Sequence, residues 1–183
     1  MIPFVYKIED DNETDYMEVI MQDLDRIYQD NFIKVYRYIL SMSGDPHLAE
    51  DITQETFFKA MQKLDRFRVD CSLTTWLCRI ARNQYLNQKS RQRHYQDLVK
   101  QHPPESINAS SAEQELIRQE QQAEIIAAMQ KLEEPYKEVL SLRMYSELPF
   151  KEIGKLFGKN DSWARVIYPR AKLKVKEELK DEY

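Results

Sequence analysis

Apolar residues return every three or four positions along most of this chain, and that spacing is the strongest constraint on its fold. Leu24, Ile27, Tyr28, Phe32, Val35, Tyr36, Ile39 and Leu40 follow it, which puts them on one stripe of an α-helix. The stripe predicts a helix from Leu24 to about Ser43–Gly44. Asp45 then Pro46 reads as an N-cap ahead of a proline at the first helical position. Leu48, Ile52, Phe57, Ala60, Met61 and Leu64 make the buried stripe of a second helix. After a loop at Arg68–Thr74, a third helix runs through Trp76, Leu77, Ile80, Ala81, Tyr85 and Leu86. With 3 glycines in 183 residues and 42% hydrophobic content, the expected fold class is all-α with almost no strand.

Periodicity fades between about Gln96 and Ala112, where Pro103, Pro104, Ser106, Asn108, Ser110 and Ser111 accumulate. This composition predicts a flexible linker. Helix resumes through Leu116, Ile117, Ala123, Ile126, Ala127, Met129 and Leu132, and a break at Glu134–Pro135 opens the last helices. Phe150 to Gly158 reads as the first helix of a helix-turn-helix, with Gly158 in the turn and Asn160 or Asp161 capping the next helix. The expected organisation is an acidic extension over 1–23, a helical domain over 24–95, a linker over 96–112 and a helix-turn-helix domain over 113–183. Asp10–Asp15 reads as a frayed, solvated tail, with Tyr16, Val19, Ile20 and Leu24 spaced so that the next helix could begin there. Pro169 falls inside the predicted second helix of the motif, where it removes a hydrogen bond and clashes with the preceding turn at a cost of about 3 kcal/mol. A kink or an early end near Ile167–Tyr168 is expected.

The formal charge is −4, but its distribution is uneven. Residues 1–30 carry nine acidic side chains against Lys7 and Arg26. Residues 79–100 carry Arg79, Arg82, Lys89, Arg91, Arg93 and Lys100 against Asp97, and residues 151–180 carry nine basic against four acidic groups. Two local basic patches on an acidic chain predict weak phosphate binding by the chain alone, because counterion release needs many contacts. A larger partner would supply the rest. Cys71 and Cys78 have no nearby histidine and read as buried or half-buried thiols, and no metal site or cofactor is called for. Phosphate-loop glycines and a nucleophile with its base are missing from the sequence, which argues against an enzyme and a small-molecule substrate. The N-terminal residues lack the pattern of a signal peptide, and no apolar run is long enough to span a membrane.

Two segments carry a family resemblance. AEDITQETFFKAMQKLDRF leads into TTWLCRIARNQYLNQKSRQR, and EPYKEVLSLRMYSELPFKEIGKLFG leads into DSWARVIYPRAK. In this order they resemble the two conserved modules of a bacterial RNA polymerase sigma factor of the extracytoplasmic-function group, in the sigma-70 family. The resemblance implies a protein that directs core RNA polymerase to promoters and helps to melt them. It implies that Asp51, Gln54, Glu55 and Phe58 dock on the polymerase. It also implies that Arg66, Arg68, Thr75, Trp76, Arg79, Arg82 and Asn83 meet the minus-ten element. Ser162, Trp163, Arg165, Arg170, Lys172 and Lys174 would meet the minus-thirty-five element, the arginines reading guanine and the lysines contacting phosphate.

Three positions depart from the family pattern. Gly154 stands where alanine is usual, Ala164 where valine or isoleucine is usual, and Trp163 replaces a small polar residue. The implied partners are core RNA polymerase, promoter DNA and a membrane-anchored anti-sigma factor that covers a face around Phe57, Phe58 and Tyr145. The implied location is the cytoplasm. Two competing readings need no polymerase: a helix-turn-helix regulator binding an operator, and a helical adaptor whose acidic face binds a partner.

Overall fold

The computed structural model describes residues 13–63, 67, 71–98 and 123–180, and all regular structure in them is helical. The helices are α1 (Glu13–Ser43), α2 (Pro46–Met61), α3 (Leu73–Leu98), α4 (residues 123–130), α5 (Tyr136–Met144), α6 (Phe150–Leu156) and α7 (Asp161–Glu178). Helix α1 starts at Glu13, within the expected tail, and takes in the helical spacing of Tyr16, Val19, Ile20 and Leu24, so much of the acidic extension is helical. Helix α3 continues to Leu98, past the point where periodicity fades. The remainder of the expected linker lies outside the described residues.

Helix boundaries follow local chemistry. Asp45 Oδ1 accepts from the backbone N–H groups of His47 at 2.9 Å and Leu48 at 3.1 Å, with Pro46 opening α2. Ser72 Oγ accepts from Thr75 N at 3.1 Å and caps α3. Asn160 Oδ1 accepts from Trp163 N at 2.9 Å and caps α7. Each cap satisfies a backbone donor that the first helical turn leaves without a partner.

Helices α1, α2 and α3 pack around Val35, Tyr38, Ile39, Ile52, Leu77 and Ala81, all buried. Thr53 and Thr56 are also buried in α2, each hydroxyl turned onto the carbonyl four residues back. Met61, expected in the stripe, is 55% exposed. It stands in the last turn of α2, at the rim of a small apolar cavity that it lines with Ile27 and Tyr28 of α1 and Leu73 and Trp76 of α3.

The second module has a small core of its own at Met129, Leu132, Leu140 and Ala171. Its remaining buried residues, among them Val139, Leu142, Leu148, Ile153 and Ala164, continue the core of the first module without a break. The two modules are therefore packed on each other. The amphipathic patterns of α1 and α5 revealed two apolar faces but not that the faces meet.

In the helix-turn-helix, Gly158 takes φ +64°, a left-handed conformation that a side chain would strain. Gly154 is required by proximity: a Cβ there would lie 2.5 Å from the Asn160 carbonyl oxygen. The departure from alanine thus brings α6 closer to the turn. Helix α7 runs unbroken through Pro169, which corrects the expected early end. Pro169 is exposed, so the Arg165 carbonyl that loses its donor faces water, while buried Ile167 and Ala171 hold the helix on the core.

Candidate nucleic-acid and partner interfaces

Asp51, Gln54, Glu55 and Phe58 lie at helical spacing along α2 and are all exposed. Phe58 is 57% exposed. Neighbouring side chains order this face: Glu55 pairs with Lys59 at 2.8 Å, and Gln54 donates to Glu50 at 3.1 Å. Such exposed pairs contribute at most about 1 kcal/mol. An apolar ring amid carboxylates and an amide, left uncovered by the fold, is a surface suited to a basic helical partner. Phe57 is different. It is buried against Tyr28 and Phe32, which removes it from the face expected around Phe57, Phe58 and Tyr145. Adjacent helix positions point about 100° apart, so one phenylalanine enters the core and the next leaves it. Tyr145 is half-buried beside Met129, in the second module.

The expected minus-ten residues divide into three sets. Arg66 and Arg68 lie outside the described residues. Arg79 and Asn83 are exposed on α3. Thr75, Trp76 and Arg82 are engaged within the protein. Thr75 is buried with its hydroxyl 2.8 Å from that of Ser72, so it supports the start of α3. Trp76 is half-buried against Phe67, ring centroids 5.1 Å apart.

Arg82 crosses to the second module. Its Nε donates to Glu138 Oε1 at 2.6 Å and its Nη2 to Oε2 at 3.0 Å. Tyr38 OH donates to the same carboxylate at 2.7 Å. Glu138 is 3% exposed, and these contacts stabilise a charge that would otherwise be costly to bury. The hydrogen bonds to Glu138 hold the Arg82 guanidinium more firmly protonated than usual, outweighing the opposing effect of burial. Burial first, and Glu138 second, push the Tyr38 hydroxyl well above its ordinary range. Nearby, Cys78 donates to Ser146 across the same interface at 3.3 Å, and burial pushes its thiol up to about 12. Sequence reasoning missed Tyr38, Glu138 and Ser146. The one signal for Tyr38 and Glu138 was polarity on the inward faces of α1 and α5, and Ser146, just beyond the end of α5, had none.

Along α7, Ser162, Arg165, Arg170, Lys172 and Lys174 are exposed. Trp163 is half-buried on Phe157, centroids 5.0 Å apart, so its ring packs the motif together. Arg165 lies with its guanidinium 5.2 Å from the centre of the Phe150 ring, and Arg143 approaches the same ring at 5.0 Å. Positive charge therefore gathers at one end of the motif.

The family model described as Sigma-70 region 2 matches residues 27–95, and that described as Sigma-70, region 4 matches residues 122–175. RNA polymerase sigma factor YlaC of Bacillus subtilis is 27% identical over 158 residues, 85% of this chain and 91% of that protein. ECF RNA polymerase sigma factor SigM of the same organism is 29% identical over 162 residues, 84% of this chain and 93% of that one. RNA polymerase sigma-H factor of Pseudomonas aeruginosa is 30% identical over 135 residues, 66% and 67% of the two chains. Among solved structures, sigma factor RpoE in complex with the anti-sigma factor NepR from Bartonella quintana has a TM-score of 0.66 at 21% identity, covering 91% of this chain and 97% of that chain. CnrH in complex with the cytosolic domain of CnrY has a TM-score of 0.65 at 18% identity, covering 89% and 91%. At these identities the likeness concerns the fold. The segments matched, their order and the relatives' shared role converge: the chain belongs to the sigma-70 family of RNA polymerase sigma factors, in its extracytoplasmic-function group, and acts as a sigma factor in transcription initiation.

Proposed function

We propose that the exposed face of α2, centred on Phe58, is where this sigma factor docks on core RNA polymerase. The observation that carries this reading is the line of Asp51, Gln54, Glu55 and Phe58, outward and uncovered, while Ile52, Thr53, Thr56, Phe57 and Ala60 are buried on the opposite side of α2. Arg79 and Asn83 then meet the minus-ten element, with Arg82 beside them on α3. Unpaired bases would be held there by polar contacts and aromatic faces, with arginine following the backbone. Arg66, Arg68 and Trp76 belong to this reading through the family resemblance, and Thr75 acts by fixing the start of the helix. Ser162, Arg165 and Arg170 address base edges of the minus-thirty-five element, Lys172 and Lys174 its phosphates, and Trp163 sets the packing of the recognition helix.

Promoter opening in this reading is carried by binding energy, and no catalytic group of the chain takes part. The work is done in the cytoplasm, with an anti-sigma partner, membrane-anchored as the family resemblance implies, withholding the protein from polymerase. Among the described residues no helix is long and apolar enough to cross a membrane. The test is run-off transcription with purified core polymerase on fragments of the gene's own upstream region. Protein-dependent transcripts that disappear with Phe58→Ala support the proposal. Promoter binding by the protein alone, with no transcript and no affinity for core polymerase, would favour the operator-binding regulator.

A further inference from the structure

The contacts between the modules have a chemical bias that simple apolar packing would not produce. Glu138 sits on the buried face of α5, among Val139, Leu140 and Leu142. Its strongest partners, Tyr38 and Arg82, both come from the first module. Around this centre Cys78 donates to Ser146, Gln130 donates to the Ser41 carbonyl at 2.6 Å, and Lys34 pairs with Glu147 at 3.0 Å. The Arg82 guanidinium also lies 5.1 Å from the centre of the Phe157 ring, in the turn of the helix-turn-helix. Arg82 is thus held by both ends of the second module's inner surface.

We infer that this chain closes on itself through a Tyr38–Glu138–Arg82 latch, in which the Glu138 carboxylate takes the place of a DNA phosphate at Arg82. The two anions share the chemistry that matters: each offers a pair of oxygens to the parallel N–H groups of a guanidinium. Arg82 cannot serve both at once. While the latch holds, α3 offers DNA Arg79 and Asn83 without the arginine between them, and the second module stays folded back on the first. No bound protein is needed for this state. Binding to a larger surface that separates the modules would expose Glu138 to water and release Arg82. The role of Arg82 after release rests on the minus-ten reading above; the closure itself does not.

Cys78 reports the closure directly, because it is fully buried and bonded across the interface. In the full chain carrying Cys71→Ser, Cys78 is the remaining thiol, and its reaction with Ellman's reagent is followed without DNA or polymerase. The expected result is slow modification of the otherwise unaltered chain and at least a tenfold faster rate with Glu138→Gln at unchanged helical circular dichroism. Lys34→Glu, which repels Glu147 at the half-exposed rim, gives a second variant that leaves both cores intact and should accelerate the reaction several-fold. If Cys78 reacts as fast as in the urea-unfolded chain, or if both variants keep helix content and leave the rate unchanged, the latch is overturned. Transcription separates the two readings. With Glu138→Gln present, adding Arg82→Ala should lower initiation at least tenfold. A closed chain whose initiation ignores Arg82→Ala would retain the closure and overturn the phosphate mimicry and the minus-ten role of Arg82 together.

Discussion

Helices α2 and α3 are neighbours in one module, yet they present opposite situations to a partner. The outer face of α2 keeps Asp51, Gln54, Glu55 and Phe58 in solvent with only surface pairs to order them. The corresponding face of α3 gives Arg82 to Glu138 and leaves Arg79 and Asn83 exposed. The proposed polymerase site is ready in the isolated chain, and the proposed minus-ten site is incomplete. This asymmetry implies an order of events: polymerase first, then separation of the modules, then DNA.

Four perturbations test the contrast, in descending size. Phe58→Ala should be the most severe, because a single aromatic anchor at an interface centre commonly carries 2 kcal/mol or more, about a 30-fold loss of affinity for core polymerase in a binding titration. The same change should leave the melting temperature nearly unaltered, since Phe58 lies outside the core. Gly154→Ala forces a methyl group against the Asn160 carbonyl; overpacking of this kind costs about 1–3 kcal/mol, read as a lower melting temperature, with minus-thirty-five recognition weakened and the α2 face unaffected.

Alkaline pH acts on the closed side of the comparison. The Cys78 thiol is raised from its ordinary range to about 12 by burial, and Tyr38 is raised by burial and by Glu138. Both groups are neutral when protonated, so their contribution to closure is fully present below pH ~9 and is lost as pH rises toward their folded values. The closed-to-open ratio should fall by up to about tenfold per pH unit for Cys78 over that window, seen as an increase in radius of gyration by small-angle scattering. Smallest is Asn160→Ala. Loss of the cap should cost about 1 kcal/mol in thermal stability, confined to α7 and without effect on polymerase binding.

The helical stripes, the caps at Asp45 and Asn160 and the outward line on α2 were legible because each depends on residues close together in the chain. Distant partners were not. Glu138 lies within KEVLSLRM, where a carboxylate reads as a solvated group, and nothing local connects it to Arg82, 56 residues earlier. Tyr38 falls beside the predicted stripe of α1 and is fully buried because α5 covers it. The pair Phe57 and Phe58 could be separated only once the packing partners of α2 were known. Pro169 was misjudged for a related reason: its cost is real in isolation, but solvent at the exposed carbonyl and buried contacts on the opposite face keep α7 continuous.

The most direct test is promoter binding by the isolated chain and by the chain with core RNA polymerase, measured on the same fragment at the same salt. Specific binding and a defined run-off transcript are expected only when polymerase is present. Equal affinity for that fragment with and without polymerase would contradict this expectation, because Arg82 would then be available to DNA in the free protein.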